Sequence, residues 1–323
     1  MENNAQSHVM FVSDTVWESY GIELLNADPT VEPILLTSAE PLPAKILDRI
    51  TTAFFSGDVW PLRTREMMIS ILKAPNLKWL HTFSSGVDSP VFQTMLERGI
   101  RITNSAGASS SPIAQTVVMY LLALSRNLPE WQRAQQRHEW QQRSFQELPG
   151  TTIAVIGLGA IGQEVVRLAH ALDMNVIACR RTPRGDESCP TYSMTDLSAV
   201  LAQADWVVVA LPLNADTRRI INAQIFASMK PGACFINVGR GELVDEPALI
   251  AALQSGHLGG AGLDVFETEP LPTESALWDM PNVIITPHNS ATTPQSHHRA
   301  ALIFIENVKR RAAGLSLRNE IVL

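Results

Sequence analysis

The feature that most constrains this chain is Gly157-Leu-Gly159-Ala-Ile-Gly162. Glycines at this spacing say little alone. Here they directly follow the apolar run Thr151–Ile156 and open a helical pattern, Ala160–Leu172. Strand, glycine turn and helix in that order read as a dinucleotide fingerprint. Gly157 permits the tight turn, Gly159 lets backbone amides approach a pyrophosphate, and Gly162 lets the helix pack close to the strand. The helix start, Ala160 and Ile161 included, supplies free N–H groups and the positive end of the helix dipole.

Short apolar runs alternate with amphipathic stretches on both sides of this motif. Before it lie candidate strands at His8–Val12, Pro33–Thr37, Thr52–Phe55, Leu77–His81 and Ile100–Thr103, with helical patterns such as Ala44–Arg49 and Thr64–Lys73 between them. After it come Asn175–Ala178, Trp206–Ala210, Ala233–Asn237, Gly260–Leu263 and Val283–Thr286, and a closing helix at about Pro294–Ala313. Alternation of this kind predicts an α/β fold of βαβ units with right-handed crossovers. Continuous β-branched runs, rather than period-two alternation, fit parallel strands covered on both faces. The 323 residues suffice for about two domains. With 46% hydrophobic and 18% charged residues, the chain can bury a substantial core.

Helix Ile113–Ser125 is apolar nearly all round, which predicts burial. Trp131–Gln146 is rich in Gln and poor in aliphatics. It reads either as a solvated helix or as an arm that packs on a second subunit through Trp131, Trp140 and Phe145.

A net charge of −7 argues against nucleic acid or an anionic membrane as partner. Cys179, Cys189 and Cys234 lack metal-ligand spacing and are too few for a disulfide framework, which points to a reducing compartment. The N-terminal residues resemble no leader, and the apolar runs fall well short of the roughly 20 residues of a membrane span. The expectation is a cytoplasmic protein with no metal site.

The strand Asn175–Cys179 should end near an adenosine ribose. NAD enzymes usually place an acid there for the 2′-hydroxyl. This chain has Arg180-Arg181-Thr182, with Arg184 close by. A guanidinium binds a 2′-phosphate bidentately where a carboxylate would repel it. The reading is NADP(H), with NADPH preferred over NADH.

Three ionisable residues sit just past strands of the second series: Arg240 in Asn237-Val-Gly-Arg-Gly, Glu269 in Leu263-Asp-Val-Phe-Glu-Thr-Glu-Pro, and His288 in Pro287-His-Asn-Ser-Ala. Groups beyond the carboxyl ends of parallel strands converge on the ligand crevice. A cation that polarises a carbonyl, an imidazolium that donates a proton and a carboxylate that orients it match carbonyl reduction.

Taken with Phe83-Ser-Ser-Gly-Val-Asp88 and Asn104-Ser-Ala-Gly107, these motifs resemble the D-isomer-specific 2-hydroxyacid dehydrogenase family over nearly the whole chain. The chain is most similar to NADPH-dependent glyoxylate/hydroxypyruvate reductases. The resemblance implies that Arg240, Glu269 and His288 are the catalytic Arg, Glu and His. It implies that Ser85, Gly86 and Val87, together with Arg240, hold the substrate carboxylate. Asp264 would contact the nicotinamide carboxamide and Leu211-Pro212 would lie beside the adenine, with Val238, Gly239, Arg240 and His288 also against the cofactor. It further implies two doubly wound parallel-sheet domains, a Rossmann cofactor domain (104–288) inserted into a flavodoxin-like substrate domain (1–103 and 289–323). Hinges near Thr103-Asn104 and His288-Asn289 would close a water-excluding cleft. The implied partners are a small 2-oxo acid and a second copy in a homodimer. Gln115 departs from the family's usual Glu, and Arg180 from its usual Asp.

Two other functions stay open. The family includes cofactor-sensing corepressors, disfavoured here because the chain shows no added peptide-binding segment. It also includes D-3-phosphoglycerate dehydrogenases, which usually prefer NAD and whose long forms carry a further C-terminal domain. Adjacent His297 and His298 point apart on a helix and predict no metal site. His81, just before the substrate loop, could make a minor contact. Ser56-Gly57-Asp58 and Trp60 are the candidates for the substrate side-chain pocket.

Overall fold

The computed structural model describes residues 8–37 and 42–321. Met1–Ser7, read above for a leader, lie outside the described residues. Two compact units divide the chain: Met1–Ser109 with Thr292–Leu323, and Ser110–Ala291.

The first unit is built on five parallel strands, β1 (His8–Ser13), β2 (Val31–Leu36), β3 (Thr52–Phe55), β4 (Trp79–Thr82) and β5 (Arg101–Asn104), in the order β2-β1-β3-β4-β5. This is the flavodoxin-like order. Strand β1 is buried along its whole length. Val9 and Phe11 enter one hydrophobic cluster and Met10 and Val12 another, so alternate side chains feed cores on opposite faces. The helix Asp14–Ala27 starts where the Ser13 hydroxyl accepts from Val16 N–H at 3.0 Å. The last helix, Pro294–Ala312, is capped by Thr293 and stacks Phe304 on Phe54 at 4.5 Å.

The second unit carries seven parallel strands: β6 (Thr152–Ile156), β7 (Asn175–Arg180), β8 (Thr191–Ser193), β9 (Trp206–Val209), β10 (Cys234–Asn237), β11 (Gly260–Leu263) and β12 (Val283–Ile285). Their order is β12-β11-β10-β9-β6-β7-β8. The chain winds one way from β6 to β8 and the other way from β9 to β12. The order therefore reverses between β6 and β9, which is where a doubly wound sheet places its ligand crevice. Ile153 and Val155 point into one core and Ala154 and Ile156 into the other, as two covered faces require.

Three differences from the sequence reading stand out. The helix expected over Trp131–Gln146 runs only over Leu128–Gln136, and His138 turns left-handed at φ 57 although the Gln- and Arg-rich composition continues. Helix Ser110–Ser125 is not buried all round, since Met119 and Leu122 are more than two-fifths exposed. Strand β8 lacks any apolar run and was not foreseen. Asn104 and Ser105 donate to Asn319 and Ser84 of the first unit, while Asn289 and Ser290 donate to Asp264 of the second.

Among the described residues no helix is long and apolar enough to cross a membrane, and no three His, Cys, Asp or Glu gather as a metal site. The three cysteines are free.

Candidate active site

At the end of β6, Gly157 adopts φ 103, and a Cβ there would meet the Ala210 carbonyl oxygen at 2.6 Å. Its N–H donates to the Cys179 carbonyl at 2.8 Å, which ties the turn to the end of β7. A Cβ on Gly162 would lie 1.9 Å from the Gly157 carbonyl oxygen, so only glycine lets the helix Ala160–Ala171 rest on the turn. Gly159 differs: a Cβ there meets nothing within 4 Å, and this N-cap residue has no side chain to occupy the helix amides. Open space over unoccupied donors at a helix N-terminus fits a pyrophosphate. Leu211 and Gly239 border the same turn: the Leu211 side chain faces Gly157 at 3.2 Å and its carbonyl oxygen faces Gly239 at 3.0 Å, both measured from the glycines' would-be Cβ. Pro212 is exposed, whereas Val238 is buried in the core.

Arg240 follows β10 in a turn shaped by Asn237. That buried amide donates to the Arg240 carbonyl at 2.9 Å and accepts from Gly239 N–H at 3.0 Å. Gly241 brings the turn against the chain carrying Glu269, since a Cβ there would fall 1.8 Å from the Phe266 carbonyl. Glu269 accepts from Phe266 N–H at 3.0 Å through Oε1 and pairs with His288 Nδ1 at 2.7 Å through Oε2. His288 holds φ 48, a left-handed conformation uncommon for a side-chain-bearing residue.

The electrostatics follow from these contacts. The hydrogen bond to Glu269 raises the His288 pKa, against the opposing pull of burial and of the Arg240 charge. Burial pushes the Glu269 carboxyl up, but the His288 bond, the Phe266 amide and the charges of His288 and Arg240 leave it lowered. An imidazolium held by a carboxylate beside a guanidinium is equipped to give a proton to an oxygen that gathers negative charge.

Beneath the triad, Asp264 is 1% exposed. Its carboxylate accepts from the Thr286 hydroxyl, Asn289 N–H, and both the N–H and hydroxyl of Ser290. Its backbone carbonyl accepts from His288 N–H at 2.8 Å. The phenol of buried Tyr120 meets the Thr286 hydroxyl, extending the network to the helix Ser110–Ser125.

At the end of β7, Arg180 is half-buried and its Nη1 lies 3.0 Å from Glu187 Oε1. Arg181 pairs with Asp216 at 3.2 Å in the open, and Thr182 is exposed.

In the first unit, the loop after β4 holds Ser85, Gly86 and Val87, each half-buried. Gly86 N–H donates to the Ser84 hydroxyl at 3.2 Å, and Asn104 donates to the Ser85 carbonyl at 2.7 Å. His81 is wholly buried, its ring between the Thr103 and Ser105 hydroxyls, and burial pulls its pKa to about 3. It sits in the core. His297 packs on Gly57 and edge-on to Phe83, while His298 bonds the Tyr20 hydroxyl at 2.9 Å. Ser56 donates to Asp58, which pairs with Arg63, and Trp60 is 57% exposed.

Residues 118–290, more than half of the chain, match the D-isomer specific 2-hydroxyacid dehydrogenase family in its NAD binding domain. The chain belongs to that family. Its nicotinamide-cofactor class follows from the matched domain. Over 94% of its length the chain is 35% identical to a D-3-phosphoglycerate dehydrogenase from Methanocaldococcus jannaschii, of which it covers 57%. It is 33% identical over 86% of its length to glyoxylate/hydroxypyruvate reductase B of Citrobacter koseri, of which it covers 88%. The chain thus spans about half the length of the phosphoglycerate dehydrogenases it matches and most of the reductase. Among solved structures, an NADPH-dependent glyoxylate/hydroxypyruvate reductase from Sinorhizobium meliloti, in complex with NADP and sulfate, is 32% identical and aligns with a TM-score of 0.78 over 97% of both chains.

Several residues of this candidate site escaped the sequence reading. Tyr120 reads as one more apolar position of a helix, and Asn237 lies inside a quoted motif without a role of its own. Thr286 and Ser290 flank His288, and short hydroxylated residues beside a candidate histidine are the one signal that could have pointed to them. Glu187 follows Arg180 across an irregular loop, where no periodicity reports contacts.

Proposed function

We propose that the chain reduces small 2-oxo acids to D-2-hydroxy acids with NADPH. The observation that carries the reading is the 2.7 Å pair of His288 Nδ1 and Glu269 Oε2 beside Arg240, on the same unit as the glycine turn. Gly157, Gly159, Ala160, Ile161 and Gly162 would hold the pyrophosphate, and Leu211, Pro212, Val238 and Gly239 would border the cofactor. When bound, a reduced nicotinamide supplies the hydride.

The protein's own groups do the rest. Arg240 polarises the substrate carbonyl and stabilises the alkoxide that develops on it. His288, with Nδ1 held by Glu269, turns Nε2 to that oxygen and gives up its proton there. Glu269 fixes the ring orientation and keeps it protonated until the transfer. The amides of Ser85, Gly86 and Val87 are proposed to hold the substrate carboxylate. Asp264 keeps the His288 turn in place, whatever further contact it makes to the carboxamide.

Support for NADPH over NADH comes from the strand end of β7, where Arg180 stands in place of an acid. The NADP-bound reductase neighbour agrees with it. The exposed Met119, Leu122 and Trp140 support a homodimer.

The 35% identity to a phosphoglycerate dehydrogenase favours a second reading, oxidation of a phosphorylated hydroxy acid with NAD. Measuring kcat/KM for glyoxylate, hydroxypyruvate, pyruvate, bulkier 2-oxo acids and phosphohydroxypyruvate, each with NADPH and NADH, decides between them. Turnover confined to phosphohydroxypyruvate with NADH would overturn the first reading. No turnover of any of them would favour the cofactor-sensing alternative.

A further inference from the structure

The loop after β7 folds around one of its own carboxylates. Glu187 Oε1 accepts from Arg184 N–H at 2.7 Å and from Arg180 Nη1 at 3.0 Å, and Oε2 accepts from Gly185 N–H at 2.8 Å. Gly185 has φ 87, which lets two successive amides point to the same side, the arrangement of a backbone anion nest. The residues from Arg181 to Asp186 are exposed, yet the Glu187 side chain keeps only 9% of its surface. The Arg184 amide above all, with the Gly185 amide and Arg180, pulls its pKa down to about 2.

Two successive amides and a guanidinium are donors suited to the oxygens of a phosphate. They stand at the end of β7, next to the strand carrying the glycine turn and about twenty residues beyond it, where such folds meet the adenosine ribose. We infer that the Glu187 carboxylate is a tethered occupant of the site that takes the cofactor's 2′-phosphate. Glu187 and the phosphate compete for Arg180 and the Arg184–Gly185 amides, and that competition sets the ratio of NADPH to NADH binding. The inference rests on the NADP(H) reading above and deepens it.

A different role for the same carboxylate is to replace the missing strand-end acid and accept from the ribose 2′-hydroxyl. The geometry speaks against this. A carboxylate has about four lone-pair positions, and the donors named already engage both oxygens. The group is an acceptor in use, seated among donors that an incoming anion could take over.

The test is calorimetric titration of the whole protein with 2′,5′-ADP and with 5′-ADP, at one ionic strength, for the wild type, Glu187→Ala and Glu187→Gln. If Glu187 fills the site about nine-tenths of the time, emptying it tightens 2′,5′-ADP binding about tenfold. Glu187→Ala should show that gain and Glu187→Gln, which keeps one acceptor oxygen, a smaller one. Binding of 5′-ADP should move less than about twofold in both. Unchanged or weaker 2′,5′-ADP binding in both variants overturns the inference and leaves Glu187 as a scaffold of the loop. Loss of 5′-ADP affinity also overturns it, in favour of the ribose contact. If none of the three proteins distinguishes the two nucleotides, the NADP(H) reading itself fails. Circular dichroism and melting curves show whether each variant is folded, and Glu187→Gln preserves the side chain's size if the alanine loosens the loop.

Discussion

Asp264 holds His288 by the backbone: the His288 N–H donates to the Asp264 carbonyl at 2.8 Å, while the Asp264 carboxylate takes the amides of the two residues that follow His288. The left-handed turn at His288 is thereby over-determined by a buried acid. Replacing Asp264 with Ala strands the buried amide and hydroxyl of Ser290. Each buried donor left without a partner costs about 1–3 kcal/mol. Urea denaturation should therefore show a clear loss of stability, and a variant as stable as the wild type would mean the turn is held by other contacts.

His288→Ala removes the proposed proton donor and should lower kcat/KM for the preferred 2-oxo acid about 10²- to 10⁴-fold. Arg240→Ala should cost about 10²- to 10³-fold, because the developing oxyanion loses its charged partner. Stopped-flow reduction with NADPH reads both. Near-normal turnover by His288→Ala would remove that residue from the proton-donor role.

Glu269→Gln tests the electrostatics. The proposed reduction needs the imidazolium, so its rate should fall as pH rises through the His288 pKa, which Glu269 holds above the ordinary 6.5. Without the carboxylate charge, the falling limb of the kcat/KM–pH profile should move to lower pH. Stability has the same sign. A raised histidine pKa contributes stability that is fully present below 6.5 and is lost as pH climbs through the folded value. The lowered Glu269 pKa contributes stability present above 4.5 and lost as pH falls through its folded value. Both contributions are small for side chains 45% and 35% exposed. An unmoved falling limb in Glu269→Gln would assign it to another group.

Two glycines of one turn should fail differently. Gly162→Ala forces a Cβ to 1.9 Å from a backbone oxygen and should unfold the unit or lower its Tm sharply. Gly159→Ala meets nothing within 4 Å, so it should melt like the wild type yet bind NADPH weakly, its methyl standing in the space proposed for the pyrophosphate. Fluorescence titration with NADPH, alongside melting curves, separates the two. Equal melting temperatures for both variants would contradict the packing described.

Much of this was legible in the sequence because covered parallel strands leave continuous apolar runs and because turns at strand ends carry their functional groups in short, fixed spacings. Gly157-Leu-Gly159-Ala-Ile-Gly162, Arg240, Glu269 and His288 are readable for that reason, and the structure brings the last three together. What escaped depends on contacts distant along the chain or on chain without period. Tyr120 reaches Thr286 across 166 residues. Glu187 turns back on Arg180 through a loop with no repeating pattern. The segment after Gln136 leaves its helix although its Gln-rich sequence continues unchanged, since no apolar stripe there gives a longer helix anything to bury. Helix Ser110–Ser125 misled in the opposite sense, because apolar residues all round do not say which of them a partner covers.

Gly241 presses its backbone onto Phe266, leaving no gap in which the arginine turn and the glutamate turn could slide apart. Cation, acid and imidazole therefore hang from one sheet, and any side chain at position 241 would force the first two apart.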